Sequence, residues 1–92
     1  MTSVKTEAWA EYARELGVAL SPHRHRVGLS QERVAHAAGV TRGYYQQLES
    51  GTSRTGRVAN PTIQNLIALA QVLETTVAEL LPPSPPDLTE GR

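Results

Sequence analysis

The stretch GLSQERVAHAAGVTRGYYQQLESG, Gly28 to Gly51, decides how this chain folds. Gly28 closes the helix that precedes it. Ser30 is a good N-cap for a helix running Gln31 to Ala38, with Val34, Ala35 and Ala38 facing inward. Gly39 stands where the chain must leave that helix, a position that commonly takes the left-handed conformation. Val40 is the apolar residue of the turn. Thr41 caps a further helix, Arg42 to about Ser50, in which Tyr45 and Leu48 face inward at i, i+3 and which Gly51 ends. Two short helices joined by a tight Ala-Gly-Val turn are the expected result.

Upstream, Trp9, Ala13, Leu16 and Leu20 fall on one stripe of a helix over residues 6–20, with Thr6 as its candidate N-cap. Ser21-Pro22 interrupts it, because proline in a helix interior loses a hydrogen bond and clashes with the preceding turn. The expectation is a kinked or broken first helix. Downstream, residues 52–59, TSRTGRVA, lack apolar periodicity and read as an exposed, mobile loop. Asn60-Pro61 reads as cap and first residue of a fourth helix, whose broad apolar face carries Ile63, Leu66, Ile67, Leu69, Ala70 and Leu73. Thr75 or Thr76 caps a last short helix with Val77, Leu80 and Leu81. The run Pro82-Pro83-Ser84-Pro85-Pro86 cannot continue a helix, and the tail to Arg92 reads as disordered. No strand is predicted, so the fold class is all-α. Residues 1–15 form an N-terminal helical extension, 16–81 the domain and 82–92 the Pro-rich tail.

Ninety-two residues allow one small domain with a thin core, which a partner subunit would help. The chain has no cysteine, which excludes disulfides and thiolate metal sites and fits a reducing cytoplasm. No apolar run approaches the roughly 20 residues of a membrane span, and no signal peptide is evident. Formal net charge is zero, but it is unevenly spread. Residues 1–20 set Lys5 and Arg14 against Glu7, Glu11 and Glu15, or −1. Residues 21–57 set Arg24, Arg26, Arg33, Arg42, Arg54 and Arg57 against Glu32 and Glu49, or +4. Residues 58–92 set Arg92 against Glu74, Glu79, Asp87 and Glu90, or −3. Positive charge therefore gathers in the two-helix unit and the loop after it, and phosphate affinity follows the local field.

That unit has the layout of a helix-turn-helix, whose second helix can enter the major groove of DNA. The segment from about Leu16 to Leu81 resembles the lambda-repressor-like helix-turn-helix domains of the Cro or xenobiotic-response-element type. The matching pieces are Arg24 ahead of GLSQ, then VA with AGV four residues on, YYQQLESG, NP, LIALAQVLE and the closing AELL. The resemblance implies a compact five-helix domain that regulates transcription and binds double-stranded DNA operators as a homodimer. Two departures stand out. His23, after Pro22, occupies a position that is usually a large aliphatic residue in the family. The loop after the recognition helix is longer than usual and carries two arginines, which suggests added contacts to phosphates or flanking DNA.

On this reading Arg42, Gln46 and Gln47 reach base edges, since arginine can pair bidentately with guanine and glutamine with adenine. Gly43 has no side chain at a position that often contacts a base in the family. Gln31 matches a family position that clamps the DNA backbone, at a helix end whose free N–H groups suit an anion. Thr41, Tyr44 and Ser50 add hydroxyl contacts to phosphates, and Arg54 and Arg57 reach flanking phosphates. Arg24 and Glu49 match a pair that forms an internal salt bridge in the family, which makes Arg24 architecture and not a DNA contact.

Other readings are poorer. His23 and His25 point to different helix faces, His36 lies on an exposed one, and no third ligand has metal-site spacing. No phosphate loop or nucleophile motif suggests an enzyme, and no cofactor is expected. The serious alternative is a protein-binding module, as in antitoxins that use the same fold. In that case Trp9 and Tyr12 in the N-terminal segment would form a dimer or partner surface. The competing reading has Trp9 closing the core against the last helix.

Overall fold

The computed structural model describes residues 4–90, and residues 1–3 and 91–92 lie outside it. Among the described residues there are five helices: α1 Val4–Val27, α2 Gln31–Ala38, α3 Arg42–Ser50, α4 Ile63–Val72 and α5 Val77–Leu80. Their buried side chains form one core, with Leu16 and Leu20 from α1, Val34 from α2, Tyr45 and Leu48 from α3, Leu69 from α4 and Leu80 from α5. The all-α expectation holds, and among the described residues the single extended pairing is an isolated antiparallel bridge between Thr52 and Val58.

The caps explain why the helices start and stop where they do. Ser30, Thr41, Thr62 and Thr76 each sit in extended backbone and accept, through the hydroxyl oxygen, an N–H of the first turn that would otherwise lack a partner. The fourth helix is therefore capped by Thr62 and not by Asn60: Pro61 precedes the cap instead of following it. At the other ends, Gly28, Gly39 and Gly51 take the left-handed conformation that a helix exit favours. α4 ends the same way with Glu74 at φ 57°, a conformation in which a non-glycine residue is strained.

α1 does not break at Pro22, nor does it start at Thr6. It runs unsplit from Val4 to Val27, with Pro22 inside. The carbonyl that Pro22 leaves without a donor belongs to Val18, which is 68 % exposed, so the loss falls on the solvent side of the helix. This long helix carries Tyr12 and Ala13 into the core along with Leu16 and Leu20.

The segment between α3 and α4 is not the loose loop its composition suggested. Beyond the Thr52–Val58 bridge, the Ser53 N–H donates to the Arg57 carbonyl (2.8 Å), the Arg57 N–H to Ser53 Oγ (3.0 Å) and the Ala59 N–H to the Gly51 carbonyl (2.8 Å). Ala59 is buried, and the indole N–H of Trp9 donates to its carbonyl at 3.1 Å. Trp9 thus packs against the core with its indole N–H tied to this loop. Hydroxyl and backbone hydrogen bonds order the segment, and apolar periodicity does not register them.

Past α5 the chain has no regular structure, but it turns back along α1. The Tyr12 hydroxyl donates to the Pro82 carbonyl at 2.8 Å, and Lys5 Nζ lies 2.9 Å from Glu90 Oε1. No helix among the described residues is long and apolar enough to cross a membrane.

Candidate nucleic-acid interface

α2 and α3 meet at the Gly39 turn, so the inner face of α3 rests on the core while its outer face is open. Tyr45 and Leu48 point inward and are fully buried. Arg42, Gly43 and Gln46 lie on the exposed side.

What holds α3 in place is a polar cluster at its C-terminal half. Arg24 Nε donates to Glu49 Oε2 at 2.6 Å, and the other end of the guanidinium reaches Glu49 Oε1 at 3.3 Å. A third donor of Arg24 goes to the Leu29 carbonyl at 3.0 Å, just before the α2 cap. Both side chains are nearly removed from solvent. The Gln31 side-chain amide N–H donates to Glu49 Oε1 (2.8 Å), and the Gln46 amide N–H donates to Gln31 Oε1 at 3.4 Å. One carboxylate thereby ties α1, α2 and α3 together. Burial on its own would raise the Glu49 carboxyl. The donors around it, Arg24 first, outweigh that and hold it below the usual carboxylate range. Burial, with Glu49 nearby, pushes the Tyr45 hydroxyl well up.

The expected DNA-contacting residues fall into two groups. Arg42 is open, with Glu32 3.9 Å away, and the guanidinium groups of Arg54 and Arg57 are exposed and unpaired among the described residues. The others already have internal bonds. Thr41 Oγ accepts the Tyr44 N–H (3.1 Å), which leaves its own hydrogen to donate. The Tyr44 hydroxyl accepts from the Asn65 amide (3.0 Å) and likewise keeps its O–H free to donate. Ser50 Oγ donates among the Gln46, Gln47 and Thr52 carbonyls, and the Gln47 amide N–H donates to the Arg57 carbonyl at 3.0 Å.

Sequence reasoning passed over three contributors. Arg26 is not a spare cation: it donates to the Leu73 carbonyl at 2.8 Å, closing the C-terminus of α4. Asn65 orients Tyr44 from α4. Gly17 lets α1 approach the α3 backbone closely, and an isolated glycine inside a helical pattern is the signal for such an approach. Among the described residues no cluster of His, Cys, Asp and Glu is placed to hold a metal ion.

Residues 24–80 match the family model for helix-turn-helix domains. None of the curated proteins matches the sequence significantly. Among solved structures, the restriction-modification controller protein C.AhdI from Aeromonas hydrophila is similar at 30 % identity and a TM-score of 0.65, over 75 % of this chain and 96 % of that one. The clp gene regulator ClgR from Corynebacterium glutamicum shows 26 % identity and a TM-score of 0.65, over 75 % of this chain and 67 % of its own. A hypothetical transcription factor from Neisseria, NHTF, shows 25 % identity and a TM-score of 0.66, over 82 % and 79 %. Sequence match, helix order and the α2–α3 geometry agree: the chain belongs to the lambda-repressor-like helix-turn-helix family of DNA-binding transcriptional regulators.

Proposed function

We propose that this protein is a transcriptional regulator that binds a specific double-stranded DNA sequence as a homodimer in the cytoplasm, with α3 in the major groove, and that it catalyses no reaction. The observation that carries this reading is the two-sidedness of α3. Its inner face is locked by Tyr45, Leu48 and the Arg24–Glu49 pair, while Arg42 and Gln46 stand on the outer face. Those two side chains have the donor and acceptor geometry that reads guanine and adenine in the major groove. The free donors of Thr41 and Tyr44, the helix start at Gln31 and the arginines of the 52–58 loop suit phosphate oxygens around that groove.

A second copy would cover the apolar strip on α4, where Ile63 and Ile67, one turn apart, are 68 % and 45 % exposed. A two-fold dimer of this kind would set its recognition helices about one DNA turn, roughly 34 Å, apart.

The test is selection of bound sequences from a random duplex library, read together with sedimentation of the free protein. An enriched palindrome bound by a dimer supports the proposal. Absence of enrichment above a salt-sensitive background overturns it and shifts the weight to a protein-binding module such as an antitoxin.

A further inference from the structure

A shallow groove runs between the outer face of α3 and the 52–58 loop, lined by Gly43, Gln46, Gln47 and Ser50 on one side and Arg54 and Thr55 on the other. Both ends of the loop are tied to α3 by side chains. Ser50 Oγ donates to the Thr52 carbonyl at 2.8 Å, and the Gln47 amide N–H donates to the Arg57 carbonyl at 3.0 Å. Gln47 is half-buried, whereas Gln46 beside it is exposed.

From this geometry we infer that Gln47 is a positioning residue and not a base reader: its amide holds the Arg57 side of the loop against α3, so that Arg54 and Arg57 meet the DNA backbone already in place. The inference deepens the DNA-binding reading above and rests on it. A glutamine that reads adenine uses its N–H and its carbonyl oxygen together. One of the two N–H groups of the Gln47 amide is already donated within the protein, and the side chain is half-buried, so the amide is held pointing at the loop. Turning the amide toward a base would leave the Arg57 carbonyl without that donor and release one end of the loop. Gly43, one turn earlier, has open space where a side chain would begin, which keeps that end of the groove beside the loop clear. A loop ordered before binding also spares the complex the entropy of ordering it.

The experiment compares the wild type with Gln47→Ala, the double variant Arg54→Ala/Arg57→Ala, and the triple variant. Binding to the selected duplex is followed against salt and against single base-pair changes. Gln47→Ala should weaken binding about 3–10-fold on every duplex, as expected when one hydrogen bond is removed. It should also flatten the salt dependence toward that of the double arginine variant, by about 0.9 in slope for each phosphate no longer neutralised. It should add nothing further in the triple variant. A changed preference at one base pair with the salt slope intact would overturn the inference, as would full additivity in the triple variant.

A second readout uses the free protein and separates this inference from the DNA reading. The Ser53 and Arg57 amides are bonded within the loop. Their hydrogen exchange should accelerate in Gln47→Ala while the core amides of α3 keep their protection. Unchanged exchange at Ser53 and Arg57 would sink the positioning role even if the wild type proves to bind DNA as proposed.

Discussion

Gly17 of α1 lies directly against the backbone of Glu49 in α3. A Cβ on residue 17 would stand 2.7 Å from the Glu49 carbonyl carbon and 2.5 Å from the Leu48 oxygen, well inside van der Waals contact. Gly51 repeats the approach at the end of α3, where a Cβ would meet Arg14 Cα at 2.9 Å. Between these two glycines the Glu49 side chain reaches Arg24. The depth at which α3 sits on α1 is therefore set by missing side chains, and its rotation by one partly buried ion pair.

Gly17→Ala should accordingly be far more disruptive than its chemistry suggests. Backbone cannot move aside as a flexible side chain can, so α1 and α3 must separate. Overpacking of this kind costs about 1–3 kcal/mol and sometimes more, and each kcal/mol lowers the thermal midpoint of a domain this size by roughly 4–8 °C. Gly43→Ala is the control. Nothing lies within 4 Å of a Cβ there, and alanine is the better helix former, so stability should hold or rise by about 0.5–1 kcal/mol. Thermal unfolding followed by circular dichroism checks both. Equal midpoints for the two variants would refute the close-contact account.

The Glu49 cluster should make the fold acid-sensitive. Its carboxyl is held below the ordinary value of 4.5, so its contribution is complete above that pH and is lost as pH falls through the lower folded-state value. Unfolding midpoints should drop as the solution is acidified below about pH 4.5, with protons taken up on unfolding. Glu49→Gln leaves the partly buried Arg24 without its counter-charge. The variant should lose about 1–3 kcal/mol near neutral pH, and its stability should depend less on pH in the acid range. A variant whose acid profile parallels the wild type would show that other carboxyls carry the effect.

Much of this was legible in the sequence, for identifiable reasons. Ser30, Gly39, Thr41 and Gly51 are local signals, each acting on its own helix end, and the structure keeps all four. The Arg24–Glu49 pair was visible through family resemblance and is present at 2.6 Å. What stayed hidden depends on partners distant in the chain. Nothing near Pro22 says that the freed carbonyl will face water. Nothing in TSRTGRVA says that Gln47 and Trp9 will pin it from two other helices. Arg26 counted as a free positive charge until α4 placed the Leu73 carbonyl beside it.

Removing residues 1–15 should unfold the domain and not merely strip it of a partner surface. The truncation deletes Ala13, Tyr12 and Trp9 together. With them go core volume, the Tyr12 bond to the Pro82 carbonyl and the Trp9 bond to the Ala59 carbonyl. Losses of about 2–5 kcal/mol are typical for one large buried side chain, against a total of about 5–15 kcal/mol for a whole domain. The milder Trp9→Phe keeps most of the ring but not the N–H. It should leave the helices formed, cost about 1–3 kcal/mol for the stranded carbonyl, and speed amide exchange at Ala59. A truncated chain with native circular dichroism and a cooperative melt would show that the N-terminal half of α1 is dispensable.

Arg42→Ala should separate reading from holding. Arg42 stands at the first turn of α3, exposed, and its nearest charged neighbour, Glu32 at 3.9 Å, is itself exposed. A pair that loose contributes little to stability, so the variant should melt within about 0.5 kcal/mol of the wild type. Its effect should fall on DNA. Removing a bidentate pair with guanine costs about 1–3 kcal/mol and relaxes discrimination at one base pair in each half-site. Removing a phosphate partner would instead weaken all duplexes equally and reduce the salt slope by about 0.9. Competition among single base-pair variants of the selected site, repeated at two salt concentrations, distinguishes the two. Unchanged base discrimination with a flattened salt slope would move Arg42 from the base-reading group to the phosphate-contacting one, leaving Gln46 to carry the readout from α3.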